Sequence, residues 1–386
     1  MLSTRIGPIA ILVACLVGCA PEVQRTAIPT SLQTTSLLAS HPADLAGFPA
    51  TIRTWGDDVS EAFQEACFRQ AIRQRRAWMA TLPPQKRPRT VDLLCISGGG
   101  EDGAFGAGLL NGWSAAGTRP VFFEVTGVST GALIAPMAFL GEPYDQRLTD
   151  AYTKLTRDDI LLLRPWLALL RSDSLADPAP MVRLLEQYID QEMLDRIAVE
   201  HGRGRRLLVG TTDLDAQRPV IWDMGAIAAS GAPNRLQLFR DVLRASAAIP
   251  GVFPPVYFRA ELLGRTYDEM HVDGGTTMQV FLFGSGVDMD AFEEGTPARR
   301  PITRVYVLRN AKFGADRTQV RPSVTGIAAR AISTLIKSNG RGDVLRIYHN
   351  ARALGFEFRV AAIPDDFDHP LDEPFDNRYM NALYKV

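Results

Sequence analysis

The run from Thr126 to Leu133 constrains the fold more than any other part of this sequence. An apolar stretch ends there in Gly127-x-Ser129-x-Gly131, and a helical pattern follows at once. This order predicts a buried strand that turns sharply into a helix and holds the serine Oγ above the end of the strand. Gly127 and Gly131 are the positions where a β-carbon would collide with a neighbouring strand or helix. Such a short motif arises often by chance, so the alternative is a tight turn with a surface serine.

The segments around this motif predict the fold class. Strands are expected at residues 91 to 96 and 121 to 126, and helices follow them at about 104 to 116 and 130 to 140. Continuous apolar strands separated by helices are typical of a buried parallel sheet. The sequence therefore predicts an α/β fold with helices on both faces of a mostly parallel sheet. Further strands are expected at 206 to 210, 220 to 223, 303 to 308 and 356 to 361, and further helices near 57 to 79, 177 to 189, 240 to 248 and 323 to 338.

Length and charge narrow the possible functions. The 386 residues suit one large domain or two smaller ones, and a hydrophobic content of 46% suffices for a substantial core. The formal net charge is -1, and no basic run is interleaved with aromatic residues. These features argue against a nucleic-acid partner.

The N-terminus has the features of an export signal. A basic residue precedes the apolar run Ile9 to Val17, which is too short to span a membrane permanently. The run closes in Leu16-Val17-Gly18-Cys19, which resembles a bacterial lipobox. This resemblance implies a signal peptide over residues 1 to 18, diacylation of Cys19, and, because Ala20 follows, an outer-membrane location in a Gram-negative bacterium. An ordinary secretory signal with a chance cysteine is the alternative.

The segment after the signal predicts a tether. Residues 19 to 55 are rich in Pro, Thr, Ser and Ala and have no sustained period, so we expect a tether followed by a loosely attached segment. The domain proper is expected over residues 56 to 386. It contains Cys67 and Cys95, for which buried free thiols are favoured over a disulfide because Cys95 lies in an apolar run.

A second glycine-rich stretch, Ser97 to Gly106, joins the first predicted strand to the first helix. Its glycines let the backbone approach an anionic group and point successive N–H groups at it. An oxyanion hole for acyl transfer needs this geometry. A dinucleotide cradle needs it too, because a Gly-x-Gly-x-x-Gly spacing begins at Gly98. Glu101 and Asp102 inside the loop would repel a pyrophosphate, and a glycine turn without a ligand is the third interpretation.

The third informative stretch runs from His271 to Gly275. It places Asp273 before two glycines at the end of a short apolar run, which alone is an ordinary turn signal. Asp273 would nevertheless supply the proton acceptor that a serine needs, because serine is a poor nucleophile at its ordinary pKa. On a strand His271 would face the same side as Asp273; packing is the favoured role, and support of the aspartate is the alternative.

Together the three stretches resemble the patatin-like phospholipases. That family has a Gly-Gly-Gly-x-x-Gly oxyanion loop, then a Gly-x-Ser-x-Gly elbow, and later Asp-Gly-Gly or Asp-Gly-Ala. A fourth segment, Ala245 to Pro255, looks like the family's approach to the aspartate. The resemblance covers roughly residues 91 to 275. The matching motifs here are Gly98 to Gly103, Gly127 to Gly131 and Asp273 to Gly275.

The resemblance implies a three-layer α/β/α fold and a serine acyl-hydrolase with a Ser-Asp dyad. Ser129 would attack a lipid acyl ester, and Asp273 would accept its proton and later activate water to hydrolyse the acyl-enzyme. No metal and no cofactor is implied. The oxyanion would be held by the backbone N–H groups of Gly98, Gly99 and Gly100, helped by that of Thr130.

Asp102 departs from the family pattern, in which Arg or Lys is common at this position. A basic residue there could bind a substrate phosphate or brace the loop. The resemblance therefore implies an acyl ester in general more firmly than a diacyl phospholipid. The partners expected are a lipid substrate and, through Cys19, a membrane; the sequence predicts no oligomeric state.

Two other functions remain open. A triad hydrolase would need a histidine after the aspartate, and His349 and His369 both follow Asp273, each in surroundings that favour a solvated surface residue. A catalytically silent lipoprotein that binds lipid or a partner is the alternative from another class. The apolar run Ile160 to Leu170 is expected to form core or a pocket wall, with a lid or membrane contact as the alternatives.

Overall fold

The computed structural model describes residues 25–164, 174–283 and 302–386. The expected signal peptide and Cys19 lie outside these ranges, and so do residues 165 to 170 of the apolar run. The strands are β1 Asp44–Leu45, β2 Arg53–Trp55, β3 Thr90–Ile96, β4 Glu124–Val128, β5 Leu162–Leu163, β6 Ala176–Asp177, β7 Arg206–Asp213, β8 Arg218–Asp223, β9 Val256–Leu262, β10 Arg265–Asp273, β11 Ile302–Lys312 and β12 Glu357–Ile363. The α-helices are α1 Thr30–Gln33, α2 Ser36–Ala39, α3 Glu61–Gln64, α4 Gln70–Ala80, α5 Gly103–Ala115, α6 Thr130–Leu140, α7 Asp145–Thr153, α8 Arg157–Ile160, α9 Ala179–Tyr188, α10 Gln191–Gly202, α11 Met224–Ala229, α12 Arg235–Ser246, α13 Val324–Ala353 and α14 Asn377–Tyr384.

One large sheet organises the chain. Its strand order is β1-β9-β10-β7-β4-β3-β11-β12, with β8 and then β2 added at β7. The centre, from β7 to β12, is parallel, whereas the β9–β10 hairpin and β8 pair antiparallel. The predicted α/β class with a largely parallel central sheet is therefore confirmed. The antiparallel strands at the flank of the sheet were not predicted from the sequence.

Both faces of the sheet are covered. Along β3, Leu94 and Ile96 pack in the main core, whereas Leu93 and Cys95 face a second core that includes residues of α13. This alternation follows from the two-residue period of a strand. Because both faces are buried, the strand reads as a continuous apolar run. Cys67 and Cys95 are buried free thiols, as expected.

The described part of the predicted tether is not a tether. β2 pairs with β8 at the sheet, and Trp55 is buried, with its Nε1 donating to the Leu38 carbonyl at 2.8 Å. Arg53 is buried as well and forms an ion pair with Glu269 of β10 at 2.6 Å. The expectation of a loose segment is therefore wrong for residues 25 to 55. The buried apolar residues of this segment are irregularly spaced between Pro and Gly residues, so the sequence shows neither a helical nor a strand period.

Two predicted boundaries also shift. β4 begins at Glu124, three residues later than expected, and Val121 is exposed on the surface before it. The single helix expected over residues 57 to 79 starts at Glu61 and contains a π-helical turn, Glu65–Arg69. Within the described ranges, no helix has the length and apolar character needed to cross a membrane.

Candidate active site

The candidate site lies where two strands end against one edge of β7. Val128, the last residue of β4, pairs with Gly210, and Asp273, the last residue of β10, pairs with Thr211. β4 runs parallel to β7 and β10 runs antiparallel to it, while β8 takes the opposite edge. The carboxyl ends of β4 and β10 therefore meet head to head. This topology brings together Ser129 and Asp273, which are 144 positions apart in the chain.

The backbone at Ser129 makes the sharp turn that the sequence predicts. Its φ of 55° and ψ of -126° form a strained conformation for a residue with a β-carbon, and α6 starts at the next residue. A β-carbon on Gly127 would lie 2.4 Å from the Gly131 carbonyl oxygen, and one on Gly131 would lie 2.4 Å from that of Ile96. Only glycine fits at either position, which confirms the steric role predicted for both.

Ser129 and Asp273 are directly hydrogen-bonded. The Ser129 Oγ donates to Asp273 Oδ2 at 2.6 Å, and the Gly275 N–H donates to Asp273 Oδ1 at 2.7 Å. Burial raises the pKa of Asp273 to about 6, although both hydrogen bonds oppose the rise. The carboxylate is thus a stronger base than an exposed aspartate and remains ionised at neutral pH.

The segment Ala245 to Pro255, which resembles a family motif, helps to position both Ser129 and Asp273. Ser246, at the end of α12, accepts the Ser129 N–H at 3.0 Å and donates to the Gly210 carbonyl at 2.7 Å. Two residues later, the Ala248 carbonyl accepts the Asp273 N–H at 2.9 Å. The motif was visible in the sequence, but the function of its serine was not.

The glycine loop follows β3 and lies against the serine. A β-carbon on Gly98 would be 3.2 Å from the Ser129 Cβ. The Gly98 N–H, however, donates to the Gln279 carbonyl at 3.0 Å, so Gly98 does not supply an oxyanion donor as predicted. The N–H groups of Gly99 and Gly100 donate to no acceptor in the described ranges. That leaves these two, with Thr130 at the first position of α6, as the available donors.

Asn310 holds the glycine loop in place, although no sequence pattern indicated this role. It lies on β11, its Nδ2 donates to the Ser97 carbonyl at 2.9 Å, and its Oδ1 accepts the Gly106 N–H at 3.1 Å. Its N–H also donates to the Ser97 Oγ at 2.9 Å. A β-carbon on Gly99 would lie 2.3 Å from the Asn310 carbonyl oxygen. The loop therefore has a fixed path over the sheet edge.

In the described part of the chain, no basic side chain lies within hydrogen-bonding distance of the acidic residues of the loop. Asp102 accepts a 2.6 Å hydrogen bond from the Tyr379 hydroxyl of α14. Burial, aided by nearby Glu101 and Asp316, raises the pKa of Asp102 to about 7 against the effects of Tyr379 and Lys312. Burial also raises the pKa of Glu101. Tyr379 thus braces the loop where the family commonly has a basic residue.

An apolar cavity of about 90 Å³ opens beside the loop and α6. Gly100 and Thr130 connect it to the candidate site, and Glu101 lies on its wall. Ile160 also lines it, which agrees with a pocket-wall role for the start of the apolar run; Leu162 and Leu163 are exposed. Its other lining residues are Leu133, Met137, Ala151, Tyr152, Leu155, Met181, Leu184, Leu185, Tyr188, Ile189, Phe375 and Met380.

The structure brings no histidine of the described ranges into hydrogen-bonding contact with the serine or the aspartate. His349 is exposed on α13, and His369 is half-buried beside Phe367. His271 is buried, packs edge-on against Trp222 and Phe258, and forms a 2.9 Å hydrogen bond with the Thr211 Oγ1. It is a core residue next to the site.

One buried cluster in the described ranges has potential metal ligands within 4.8 Å of one another: Asp213, Glu269 and His271. The Arg53 guanidinium already pairs with both oxygens of Glu269. Burial opposes ionisation of Glu269, but Arg53 and then His271 outweigh it and lower its pKa to about 2. Asp213 accepts two backbone N–H groups. This is an internally compensated ion-pair network that ties β2 to β10.

Comparison with known proteins identifies the family. Residues 94–283 match the model of the patatin-like phospholipases. They contain the glycine loop, the elbow, and Asp273. Over this segment, just under half of the chain, the sequence contains a patatin-like phospholipase domain, which confirms the resemblance noted in the sequence. A comparison with curated proteins gave no match.

Several solved structures share a distant likeness. VipD from Legionella pneumophila is 11% identical, with 77% of this chain and 66% of that chain covered and a TM-score of 0.32. ExoU of Pseudomonas aeruginosa, in complex with SpcU, is 14% identical over 77% and 52%, with a TM-score of 0.29. Human GIVD cytosolic phospholipase A2 is 10% identical over 70% and 49%, with a TM-score of 0.30. The chain spans between about half and two thirds of these proteins, and the family assignment rests on the sequence match.

Proposed function

We propose that the protein hydrolyses the carboxylic ester bonds of lipid acyl chains through Ser129 and Asp273. The observation that carries this proposal is the 2.6 Å hydrogen bond between the Ser129 Oγ and Asp273 Oδ2, at a strained turn inside the family-matched segment. A hydroxyl and a buried carboxylate in this geometry can transfer a proton directly.

In the proposed first step, the Ser129 Oγ attacks the ester carbonyl carbon as its proton passes to Asp273. The carbonyl oxygen becomes an oxyanion, which the N–H groups of Gly99, Gly100 and Thr130 stabilise. The tetrahedral intermediate collapses, the C–O bond to the leaving alcohol breaks, and protonated Asp273 returns its proton to that oxygen. The acyl chain is then joined to Ser129 as an ester.

The second step returns the enzyme to its starting state. Asp273 removes a proton from water, the resulting oxygen nucleophile attacks the acyl-enzyme, and the Ser129–acyl bond breaks with proton return to the Ser129 Oγ. The apolar cavity beside Thr130 suits the acyl chain, because it is lined by aliphatic and aromatic side chains.

The loop charges favour a neutral substrate over an anionic one. Glu101 and Asp102 directly follow the proposed oxyanion donors, and among the described residues no basic side chain lies within hydrogen-bonding distance of them. Their ionised carboxylates would therefore repel a phosphate close to this loop. We therefore infer that monoacylglycerol-type and similar neutral esters react faster than anionic phospholipids. A zwitterionic lysophospholipid should fall between them.

Hydrolysis of defined lipids tests the function. Release of fatty acid from a monoacylglycerol and a lysophospholipid would be measured for the wild type, Ser129→Ala, Asp273→Asn, and a His349→Ala/His369→Ala control. We expect the first two variants to lose about 10²- to 10⁴-fold in kcat and the control to retain activity. An active Asp273→Asn protein or an inactive histidine control would favour a triad, and a wild type without turnover would favour a silent binding protein.

We also propose, from the sequence alone, that Cys19 carries a diacylglyceryl anchor that holds the protein at the outer membrane. The support is the Leu16 to Cys19 lipobox pattern followed by Ala20. Mass spectrometry of the mature N-terminus should find diacylglycerol on the wild type and none on Cys19→Ser. An unlipidated wild-type N-terminus would contradict this part.

A further inference from the structure

The first half of α13 projects from the body of the protein. No side chain described between residues 324 and 338 is buried, whereas Asp343, Val344, Ile347 and Ala351 in the second half pack on the sheet. Val324 is 87% exposed and Leu335 is 69% exposed. A helical segment of this length is marginal in water without packing on one face.

This projecting segment is amphipathic. At roughly 100° per residue, Val324, Ala328, Ala331 and Leu335 follow one line along the helix, with Ile332 and Ile336 beside them. Arg330, Lys337 and Arg341 lie together on the opposite face at the same helical spacing. Within the described ranges, the large aliphatic side chains of this segment are exposed to solvent. We call the segment Val324 to Ser338 the projecting helix.

The charge around the projecting helix is one-sided. Between positions 316 and 342 the chain has five basic residues and one acidic residue, although its overall formal charge is -1. The single acid, Asp316, pairs with Lys337 at 2.5 Å. The unbalanced basic residues are Arg317, Arg321, Arg330 and Arg341.

We propose that the projecting helix is a docking surface for a membrane with anionic lipids. An apolar face beside a basic polar face lets a helix lie in the headgroup region, with its aliphatic side chains among the acyl chains and its arginines on lipid phosphates. The excess of positive charge favours this occupant over a second copy of the chain, because two such helices would repel each other.

The second half of α13 connects this surface to the candidate active site. The Asn339 Nδ2 donates to the Thr277 carbonyl at 3.1 Å, and a β-carbon on Gly340 would lie 3.2 Å from the Gln279 Cβ. Asp343 accepts the Gln279 N–H at 2.7 Å. A membrane that holds the projecting helix therefore lies near the turn that follows Asp273. Docking does not depend on the proposed ester chemistry and can be measured without turnover.

Vesicle co-sedimentation tests the proposal. The full chain, with Cys19→Ser in every sample to exclude an acyl anchor, is mixed with phosphatidylcholine vesicles that contain or lack phosphatidylglycerol. The apolar variant is Ile332→Gln/Leu335→Gln, and its matched control is Val199→Gln/Leu345→Gln at exposed positions outside the projecting helix. The charge variant is Arg330→Gln/Arg341→Gln, and its control is Arg259→Gln/Arg265→Gln at exposed sites of the β9–β10 hairpin.

We expect binding that requires phosphatidylglycerol, falls at least about 10-fold in the apolar variant, and falls on the order of 20-fold in the charge variant. Both controls should bind like the wild type, and hydrolysis of a soluble short-chain ester should be unchanged throughout. Equal vesicle binding by variants and controls would overturn the proposal. Absence of wild-type binding would overturn it too, as would a helix-dependent dimer in sedimentation velocity without vesicle binding.

Discussion

The backbone N–H of Gln279 donates a 2.7 Å hydrogen bond to Asp343 Oδ2 on α13. Gln279 also accepts the Gly98 N–H through its carbonyl, and its Nε2 donates to the Gly275 carbonyl at 2.8 Å. This residue therefore links the turn after Asp273, the glycine loop and the long helix. None of the three sequence motifs includes it.

Removal of the Asp343 carboxylate should loosen this connection. Asp343→Leu leaves the buried Gln279 N–H without an acceptor, which should cost about 1–3 kcal/mol in the free energy of unfolding, and we expect kcat to fall more than KM rises. Asp343→Asn keeps an acceptor and should lie much closer to the wild type. Urea unfolding and ester kinetics would measure both effects. Equal stability and activity of the two variants would count against this role.

The rate of ester hydrolysis should follow the ionisation of Asp273. Its pKa is about 6, and only the carboxylate can accept the serine proton. We therefore expect kcat/KM for a soluble short-chain ester to rise about tenfold per pH unit below pH 6 and to level off above pH 7. The profile should be the same in the His349→Ala/His369→Ala control. A midpoint that moves when these histidines are removed would point to a different base.

Glu124 should make the fold less stable as the pH rises. Burial raises its pKa from 4.5 to about 8, so between these values the unfolded chain releases a proton that the folded chain keeps. The free energy of unfolding should then fall by up to about 1.4 kcal/mol per pH unit in this window. Glu124→Gln keeps an acceptor for the Phe283 N–H and should flatten the dependence. Identical slopes for the two proteins in urea titrations would refute the assignment.

Removal of the loop charges should change the substrate preference. In Glu101→Gln/Asp102→Asn, kcat/KM for a lysophosphatidylglycerol should rise about tenfold relative to a monoacylglycerol, because repulsion of the phosphate is lost. The gain should be larger above pH 7, where Asp102 is ionised in the wild type. Glu261→Gln/Asp44→Asn, at exposed positions of the β1–β9 pair, is the charge-matched control. An unchanged ratio of kcat/KM between the two substrates would show that Glu101 and Asp102 do not determine substrate preference.

The features that could be predicted from the sequence are those that depend on residues close together in the chain. The strand and helix around Ser129 follow from an apolar run, two glycines and a helical period, and these signals lie within a few neighbouring residues. Asp273 could be identified because the family motif is short and continuous. The approach of Asp273 to Ser129 required the sheet topology, since two distant strands share one edge of β7.

The features that could not be predicted from the sequence depend on contacts between segments that are distant in the chain. Gly98 matches the family's oxyanion motif, but its N–H donates to the carbonyl of Gln279, which is distant in the sequence. Asn310 supports the glycine loop from a strand whose pattern indicates only burial. Arg53 and Trp55 are anchored by partners on other strands and have no periodic signal of their own.

The most direct test of Ser129 as the nucleophile is the intact mass of the protein after treatment with a fluorophosphonate probe. We predict one adduct on the wild type at neutral pH, none on Ser129→Ala, much slower labelling of Asp273→Asn, and wild-type labelling of the His349→Ala/His369→Ala control. Equal labelling of Ser129→Ala and the wild type, or an unlabelled wild type, would contradict the assignment of Ser129 as the nucleophile.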